Sequence, residues 1–174
     1  MLSEHDRIPL DAAHSILATF GITKPTKAYE RWVHPDGFDV RDFGDVLFES
    51  QFVFVVDWRE PLECVLDLVV AALNSLDVQL RFQCNDNEGV RAQVECDGRR
   101  AALKYCQPDD DRWDDVFSGL QSIAPEHIEF RGSPWNEGRD TSVFAVLPRD
   151  EWTDLERTSP DVIAHFFETL RPSR

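Results

Sequence analysis

The sequence is organised around an unbroken apolar run at residues 52–56, Phe-Val-Phe-Val-Val. Five such residues are too few for a helix, and their β-branched and aromatic side chains favour a strand buried on both faces at the centre of a sheet. Pro61 follows after a short break and can begin a helix, because the first helical position needs no N–H group. The apolar residues that continue to Leu73 are interrupted by charge only at Glu63 and Asp67, so we expect this helix to be buried as well.

A second pattern, the alternation of apolar and polar side chains, extends over most of residues 78–105. Alternation with a period of two predicts strands with one buried face. Asp97 and Gly98 have the composition of a two-residue hairpin turn, in which both residues adopt positive φ. Such a turn places Val94 opposite Ala101, so the last two strands form a hairpin with its apolar side chains on one face.

The first of these strands is connected to the second by residues 85–89. A five-residue loop at this place predicts Leu80 opposite Val94 and Cys84 opposite Val90. The apolar side chains of the three strands then share one face, which predicts a three-stranded antiparallel meander.

The remaining elements follow from helical spacing, alternation and turn residues. We predict helices at residues 8–20, 110–124, 150–157 and 159–170, strands at 128–131 and 142–147, a hairpin between 29–33 and 38–43, and a helical turn at 45–50. The length of 174 residues fits one domain. The predicted fold class is α+β: residues 1–174 form one mixed, mainly antiparallel sheet that includes the meander, with helices packed on one face. Residues 1–50 are expected to form a helical and hairpin segment packed on it.

The chain is strongly acidic, with 33 acidic residues against 18 lysines and arginines and a net charge of −15. Residues 1–87 carry 15 acids and 7 bases and residues 88–174 carry 18 and 11, so the excess is not confined to a tail. A negative field of this size repels nucleic acids and anionic membrane surfaces and attracts basic proteins. We therefore expect a basic protein partner, and neither nucleic acid nor membrane as a partner.

The first ten residues lack the apolar core of a signal peptide, and no apolar run is long enough to span a bilayer. Cysteines occur at positions 64, 84, 96 and 106 without a C-x-x-C pair, and no histidine pair has a zinc-site spacing. Cys64 and Cys84 fall on apolar faces, which predicts small buried side chains. These features predict a cytoplasmic protein with reduced thiols and without a metal or cofactor.

A cluster of carboxylates lies at the start of the helix predicted for residues 110–124. Asp110, Asp111 and Asp114 match the D-x-x-D spacing of some magnesium–diphosphate sites, but no second metal motif accompanies them. Acidic residues in the first turn also stabilise a helix by about 0.3–1 kcal/mol each. We therefore interpret these aspartates as helix-capping residues that, with Asp115, present a negative surface to a basic partner.

An acid–base site is the alternative that the sequence leaves open for an enzyme. Asp57 and Arg59 follow the predicted central strand, at the edge where open sheets often bind ligands, and His127 could complete such a site. Asp57 and Glu60 can instead cap the following helix, with Arg59 in a surface ion pair with one of them. The sequence contains no nucleophile-elbow serine and no glycine-rich phosphate loop.

The polar side of the predicted meander is basic, although the chain as a whole is acidic. Arg81, Arg91, Arg100 and Lys104 are predicted to lie there, with Glu95 as the opposing charge. This side is either solvated, covered by acidic segments of the chain itself, or a surface for a partner.

A tryptophan, Trp135, is predicted in the polar loop at residues 132–141. Exposed aromatic side chains often anchor protein partners. The sequence equally allows Trp135 to fold back onto the sheet.

The order of predicted elements in residues 61–170, α-β-β-β-α-β-β-α, resembles that of the small acidic chaperones of bacterial type III secretion. The small size and acidic character are also similar to bacterial immunity proteins, which neutralise a toxin by binding it. Both resemblances imply a protein that acts by presenting a surface. We expect a non-catalytic protein-binding module. The alternatives are an enzyme that uses the acid–base site, and a structural or regulatory subunit whose meander binds another sheet or a phosphorylated ligand.

Overall fold

The computed structural model describes residues 2, 6–57, 59–85, 91–104, 113–134, 136 and 140–170. The first elements in chain order are β1 (Arg7–Ile8), α1 (Leu10–Thr19), α2 (Lys27–Trp32), β2 (Phe38–Asp39), α3 (Val40–Leu47), β3 (Val53–Asp57), α4 (Leu62–Asn74) and β4 (Leu80–Cys84). The following elements are β5 (Ala92–Cys96), β6 (Arg99–Leu103), α5 (Trp113–Ile123), β7 (Ile128–Gly132), β8 (Thr141–Pro148), α6 (Arg149–Thr158), α7 (Pro160–Phe166) and β9 (Glu168–Thr169). Helices combine with antiparallel sheets, so the predicted α+β class is confirmed.

Four strands form the larger sheet in the order β3-β8-β7-β9, and every neighbouring pair is antiparallel. β8 lies inside this sheet, and its residues 144–147 are fully buried. β3 lies at one edge, and its Val55 is 44% exposed. The prediction that residues 52–56 form the central strand, buried on both faces, was wrong, because an apolar run indicates burial but not the order of the strands.

One face of the larger sheet is closed by an aromatic cluster. Phe54, Phe130 and Phe144 extend from three strands toward Phe117 of α5, with ring centroids 5.6, 5.9 and 3.9 Å from that of Phe117. All four rings are buried. Aromatic pairs at such distances add to the stabilisation by apolar burial, so this cluster fixes α5 against the sheet.

The opposite face of the larger sheet contacts α6 through charged groups. The Arg131 guanidinium on β7 lies 4.4 Å above the ring of Trp152 and pairs with Glu129 at 2.8 Å and Glu156 at 2.6 Å. Arg149 pairs with the second carboxylate oxygen of Glu129 at 3.2 Å. Buried charges are tolerated when they are paired and hydrogen-bonded in this way. Helices therefore lie against both faces of the larger sheet.

The smaller sheet is the predicted meander, β4-β5-β6, and it is hydrogen-bonded separately from the larger sheet. The strands thus form separate sheets, including a two-stranded pair of β1 and β2, instead of one continuous sheet. The second hairpin of the meander has the predicted register, with Val94 opposite Ala101. Asp97 and Gly98 have φ of 49° and 77°, as the predicted two-residue turn requires.

The register of the first hairpin differs from the predicted one by two residues. Leu80 lies opposite Cys96 rather than Val94, and Cys84 lies opposite Ala92. A shift of two residues keeps each side chain on its own face, so the apolar pattern cannot distinguish the two registers.

One face of the meander is covered by helices, as predicted. α5 packs against β6, and α4 packs against β4. The approach of α5 is close, because a Cβ atom added at Gly119 would lie 2.6 Å from Leu103 Cδ2. Leu80, Val94 and Leu103 on this face are buried.

The N-terminal segment differs most from the prediction. Residues 27–32 form the helix α2 instead of a strand, and the Thr26 hydroxyl caps it by accepting a hydrogen bond from the Tyr29 N–H at 3.1 Å. A tight turn brings His34 and Gly37 into a bridge, but β2 pairs with β1 rather than with the preceding residues. The predicted hairpin was therefore wrong, because a short run with aromatic residues does not distinguish a strand from a capped helical turn.

Three helices differ from the prediction in extent or burial. α3 starts at Val40, before the predicted helical turn at residues 45–50. α4 begins as predicted, but Leu68 is 53% exposed, so this helix is buried on one face only. α7 ends at Phe166 because Phe167 adopts an extended backbone, and the chain then forms β9. Within the described residues, no helix has both the length and the apolar character needed to cross a bilayer.

Candidate functional site

The polar side of the meander is the first candidate site, and we call it the outer face. It is defined by these side chains: Arg81, Gln83, Gln93, Glu95, Arg100 and Lys104. Arg81, Arg100 and Lys104 are exposed, so no acidic segment within the described part of the chain covers them. A shallow depression of about 540 Å³ lies on this face between the arginines and glutamines.

Glu95 lies between two arginines on the outer face. Its cross-strand neighbours are Arg81 on β4 and Arg100 on β6, and Arg100 Nε lies 2.6 Å from Glu95 Oε2. Arg100 is 76% exposed, so this ion pair contributes only about 0–1 kcal/mol to stability. The pair orients the guanidinium, and the flanking Gln83 and Gln93 add amide donors and acceptors. The outer face can therefore hydrogen-bond carboxylates and backbone groups of a protein.

Arg91, the remaining cation predicted for this face, directly precedes β5. Its backbone N–H donates to the Leu103 carbonyl at 2.9 Å, and its side chain is half-buried. The Nε atom is buried and has no hydrogen-bond partner within the described part of the chain. Arg91 thus lies at the end of the meander and contributes less exposed charge than Arg81 or Arg100.

The acidic surface predicted at the start of α5 is described in part. Asp114 is exposed and Asp115 is half-buried, and both lie in the first helical turn, where the helix dipole favours negative charge. The other predicted partner-binding residues lie outside the described residues: Asp110, Asp111 and Trp135.

The structure contradicts the predicted acid–base site. Asp57 lies opposite Thr141 at the start of β8, whereas His127 precedes Ile128, which lies opposite Pro148 at the end of β8. The seven-residue step along β8 corresponds to about 23 Å at roughly 3.3 Å per residue. Asp57 and His127 are therefore at opposite ends of the larger sheet, because the sequence pattern did not reveal that β3 and β7 run on either side of β8.

The local role of Asp57 also differs from the helix cap that the sequence suggested. Its Oδ1 accepts a hydrogen bond from the Arg59 backbone N–H at 2.8 Å. Pro61 holds the N-cap position of α4, and no side chain caps that helix end. Asp57 thus fixes the turn after β3.

The cysteines divide by exposure differently from the prediction. Cys64 and Cys84 are exposed, and Cys96 is buried under the helices that cover the meander. Burial raises the pKa of the Cys96 thiol, Asp97 raises it further, and Arg99 partly opposes this change. Because the thiolate is the reactive form, burial and the raised pKa lower the reactivity of the Cys96 thiol.

Three potential metal ligands lie close together at a place where no motif in the sequence predicted a metal site. His34, Asp39 and Asp42 each direct one ligand atom into a common region, and these atoms all lie within 4.8 Å of one another. The three residues share no standard metal motif, so sequence inspection missed them. Tertiary structure brings them together through the turn at residues 34–37 and the start of α3.

An apolar groove of about 360 Å³ lies between α1 and α2. Leu17 and Ile22 line it, Lys24 lies at its rim, and His14 Nε2 is hydrogen-bonded to the Tyr29 hydroxyl beside it. The volume suits a small ligand. Lys24 is exposed, so its ammonium group would do little to fix the orientation of a ligand in this groove.

No protein-family model matches this chain, and comparisons with curated proteins and with solved structures also find no match. The outer face of the meander and the acidic start of α5 are the surfaces from which a function can be argued.

Proposed function

We propose that this chain is a non-catalytic, acidic protein-binding module of the cytoplasm. It would act stoichiometrically, as toxin-neutralising immunity proteins and secretion chaperones do. The observation that carries this proposal is the outer face of the meander, where Arg81 and Arg100 project from the two strands on either side of β5 without cover from the rest of the described chain.

Two properties of the outer face support protein binding over small-molecule binding. The depression on it is shallow and only half apolar, whereas small-molecule sites are mostly enclosed and apolar. Arginine is also enriched among the residues that dominate binding energy at protein interfaces, because its planar guanidinium pairs with carboxylates and stacks on apolar groups.

The net charge of −15 supports a partner that is basic overall. The total field governs long-range attraction and the association rate, whereas contact energy depends on the groups that meet in the interface. A basic partner would therefore be attracted by the acidic surface, including Asp114 and Asp115. It would then place carboxylates or backbone carbonyls of its own against Arg81 and Arg100.

The experiment starts with capture of the partner from the native host at low salt, followed by stopped-flow association of the purified pair across a salt series. Arg100→Ala should weaken binding mainly through faster dissociation, because it removes a guanidinium from the interface. The doubly substituted D114N/D115N variant should slow association and flatten its salt dependence, with little change in dissociation.

Arg157→Ala is the matched control for Arg100→Ala. Arg157 also forms an exposed ion pair, with Asp154 at 3.1 Å, and it is 69% exposed, but it lies on α6 instead of the meander. We expect R157A to bind like the wild-type chain. Equal binding by R100A and R157A would remove the outer face from the interface and refute the proposal for this surface.

A further inference from the structure

A cluster of three potential metal ligands lies at the junction of α2, β2 and α3. His34 belongs to the turn after α2, Asp39 is the last residue of β2, and Asp42 lies in the first turn of α3. Their ligand atoms lie within 4.8 Å of one another. One imidazole and two carboxylates are therefore available to a single ion.

The separations are within reach of metal coordination. Two donors that each lie about 2.1 Å from a tetrahedral ion are separated by about 3.4 Å. His34 is exposed, so rotation of its side chain can close the remaining gap without moving the backbone. A metal site therefore requires mainly that the backbone holds the three ligand residues at these positions.

Buried aromatic neighbours hold the two aspartates in place. Phe38 precedes Asp39 and Phe43 follows Asp42, and both phenylalanines are fully buried with their rings 5.8 Å apart. Each carboxylate is thus attached to a backbone position that is anchored in the core. Preorganisation of this kind lowers the cost of forming a metal site.

The turn that carries His34 is held equally firmly. Backbone hydrogen bonds join His34 and Gly37 in both directions, at 3.0 and 3.1 Å. Gly37 has φ of 126°, and a Cβ atom at this position would lie 2.0 Å from the Ile8 carbonyl oxygen. The turn is therefore pressed against β1 in a conformation that other residues could not adopt.

Stabilisation of the helix dipole does not account for the whole cluster. Asp42 lies in the first turn of α3 and benefits from the dipole, but the Asp39 side chain makes no capping hydrogen bond although Asp39 holds the N-cap position. The Asp39 carboxylate pairs instead with Arg7, at 3.3 Å.

We propose that His34, Asp39 and Asp42 bind one Zn²⁺ ion, with water completing the coordination. A mixed set of imidazole nitrogen and carboxylate oxygen suits Zn²⁺ better than Ca²⁺ or Mg²⁺, which prefer oxygen alone. Arg7 pairs with Oδ1 of Asp39, and this partly exposed ion pair is worth only about 0–1 kcal/mol. The ion can therefore bind the second oxygen or displace Arg7.

The test is a titration of the full chain with Zn²⁺ by isothermal calorimetry, after treatment with EDTA. The exposed thiols of Cys64 and Cys84 can also bind Zn²⁺, so the protein is first alkylated with iodoacetamide. We expect binding of a single equivalent and a rise in the melting temperature with Zn²⁺ concentration, because an ion that binds the folded state stabilises it. Addition of Co²⁺ in place of Zn²⁺ should give the visible absorption of a bound ion.

Substitution of the ligands decides the assignment. His34→Ala and Asp42→Asn should each weaken Zn²⁺ binding by roughly tenfold or more. Asp36→Asn is the matched control, because Asp36 is an exposed aspartate of the same turn outside the ligand set, and it should bind Zn²⁺ like the wild-type chain. Circular dichroism of each variant without metal confirms folding, and His34→Gln replaces His34→Ala if the latter does not fold.

Two outcomes would overturn the proposal. One is the absence of saturable binding of a single equivalent by the alkylated chain. The other is equal affinity of H34A, D42N and D36N, since binding that does not depend on His34 and Asp42 comes from other carboxylates on this acidic surface.

Discussion

The two principal sheets of this protein are both antiparallel, but different surroundings cover them. The larger sheet has α5 and its aromatic cluster on one face and α6 with the Arg131 ion pairs on the other. The meander has helices on one face and solvent at Arg81, Arg100 and Lys104 on the other. The larger sheet is therefore a scaffold, and the meander carries a surface on that scaffold.

Alternation of apolar and charged residues has a different meaning in the two sheets. β7 reads Ile-Glu-Phe-Arg-Gly, which has the alternation of a strand with one solvated face, yet all five residues are buried. Glu129 and Arg131 satisfy each other and further partners on α6, so their charges do not require water. In the meander, alternating charges such as Arg81 do indicate solvent exposure.

The largest expected effect is on the scaffold. Phe144→Ala should lower the free energy of unfolding by about 3–5 kcal/mol, because it removes a fully buried ring from the centre of the aromatic cluster. Urea denaturation followed by circular dichroism measures this change. Gln93→Ala on the outer face is the control and should change stability by less than about 0.5 kcal/mol. Similar values for the two variants would contradict the distinction between scaffold and surface.

A smaller effect is expected on the charged face of the larger sheet. Arg131→Met should lower the free energy of unfolding by about 2–3 kcal/mol. Glu129 then loses its buried partner Arg131, although it keeps the exposed partner Arg149. The R131M/E129Q double variant should lose less than the sum of the single variants, by about 1 kcal/mol. The measurement is a double-mutant cycle in urea. Additive losses would mean that the two side chains do not stabilise one another.

The smallest of the three effects tests the turn of the meander. Gly98→Ala should cost about 1 kcal/mol, because an alanine at φ of 77° adopts an unfavourable left-handed conformation. No atom of the described residues lies within 4 Å of the added Cβ, so the cost comes from the backbone conformation. Asparagine tolerates this conformation, so Gly98→Asn should be closer to wild type in thermal denaturation. A larger loss for G98N than for G98A would contradict the assigned turn.

Local features of this fold could be predicted from the sequence because they depend on neighbours in the chain. The Asp97-Gly98 turn, the register of the second hairpin and the helix α5 are all of this kind. The shift in the first hairpin could not be detected, because a change of two residues preserves the apolar face.

Features that depend on strand order or on tertiary packing could not be predicted from the sequence. The edge position of β3 and the distance between Asp57 and His127 follow from the insertion of β8 beside β3. The His34 cluster likewise requires the turn to pack against β1, which no spacing in the sequence reveals. The exposure of the outer face could not be predicted either, because it depends on which face of the meander the helices cover.

The pairing of β3 with β8 has a consequence for how the chain folds. Val53 and Ala145, which lie opposite each other, are about 90 residues apart in sequence, whereas the strands of the meander are joined by short connections. Strands that are close in sequence, such as those of the meander, pair with a small loss of chain entropy and form early. Strands that are distant in sequence pair slowly. During synthesis, the meander can be complete while β3 still awaits its partner. Until β8 has left the ribosome, the apolar side chains of β3 are exposed and can cause aggregation.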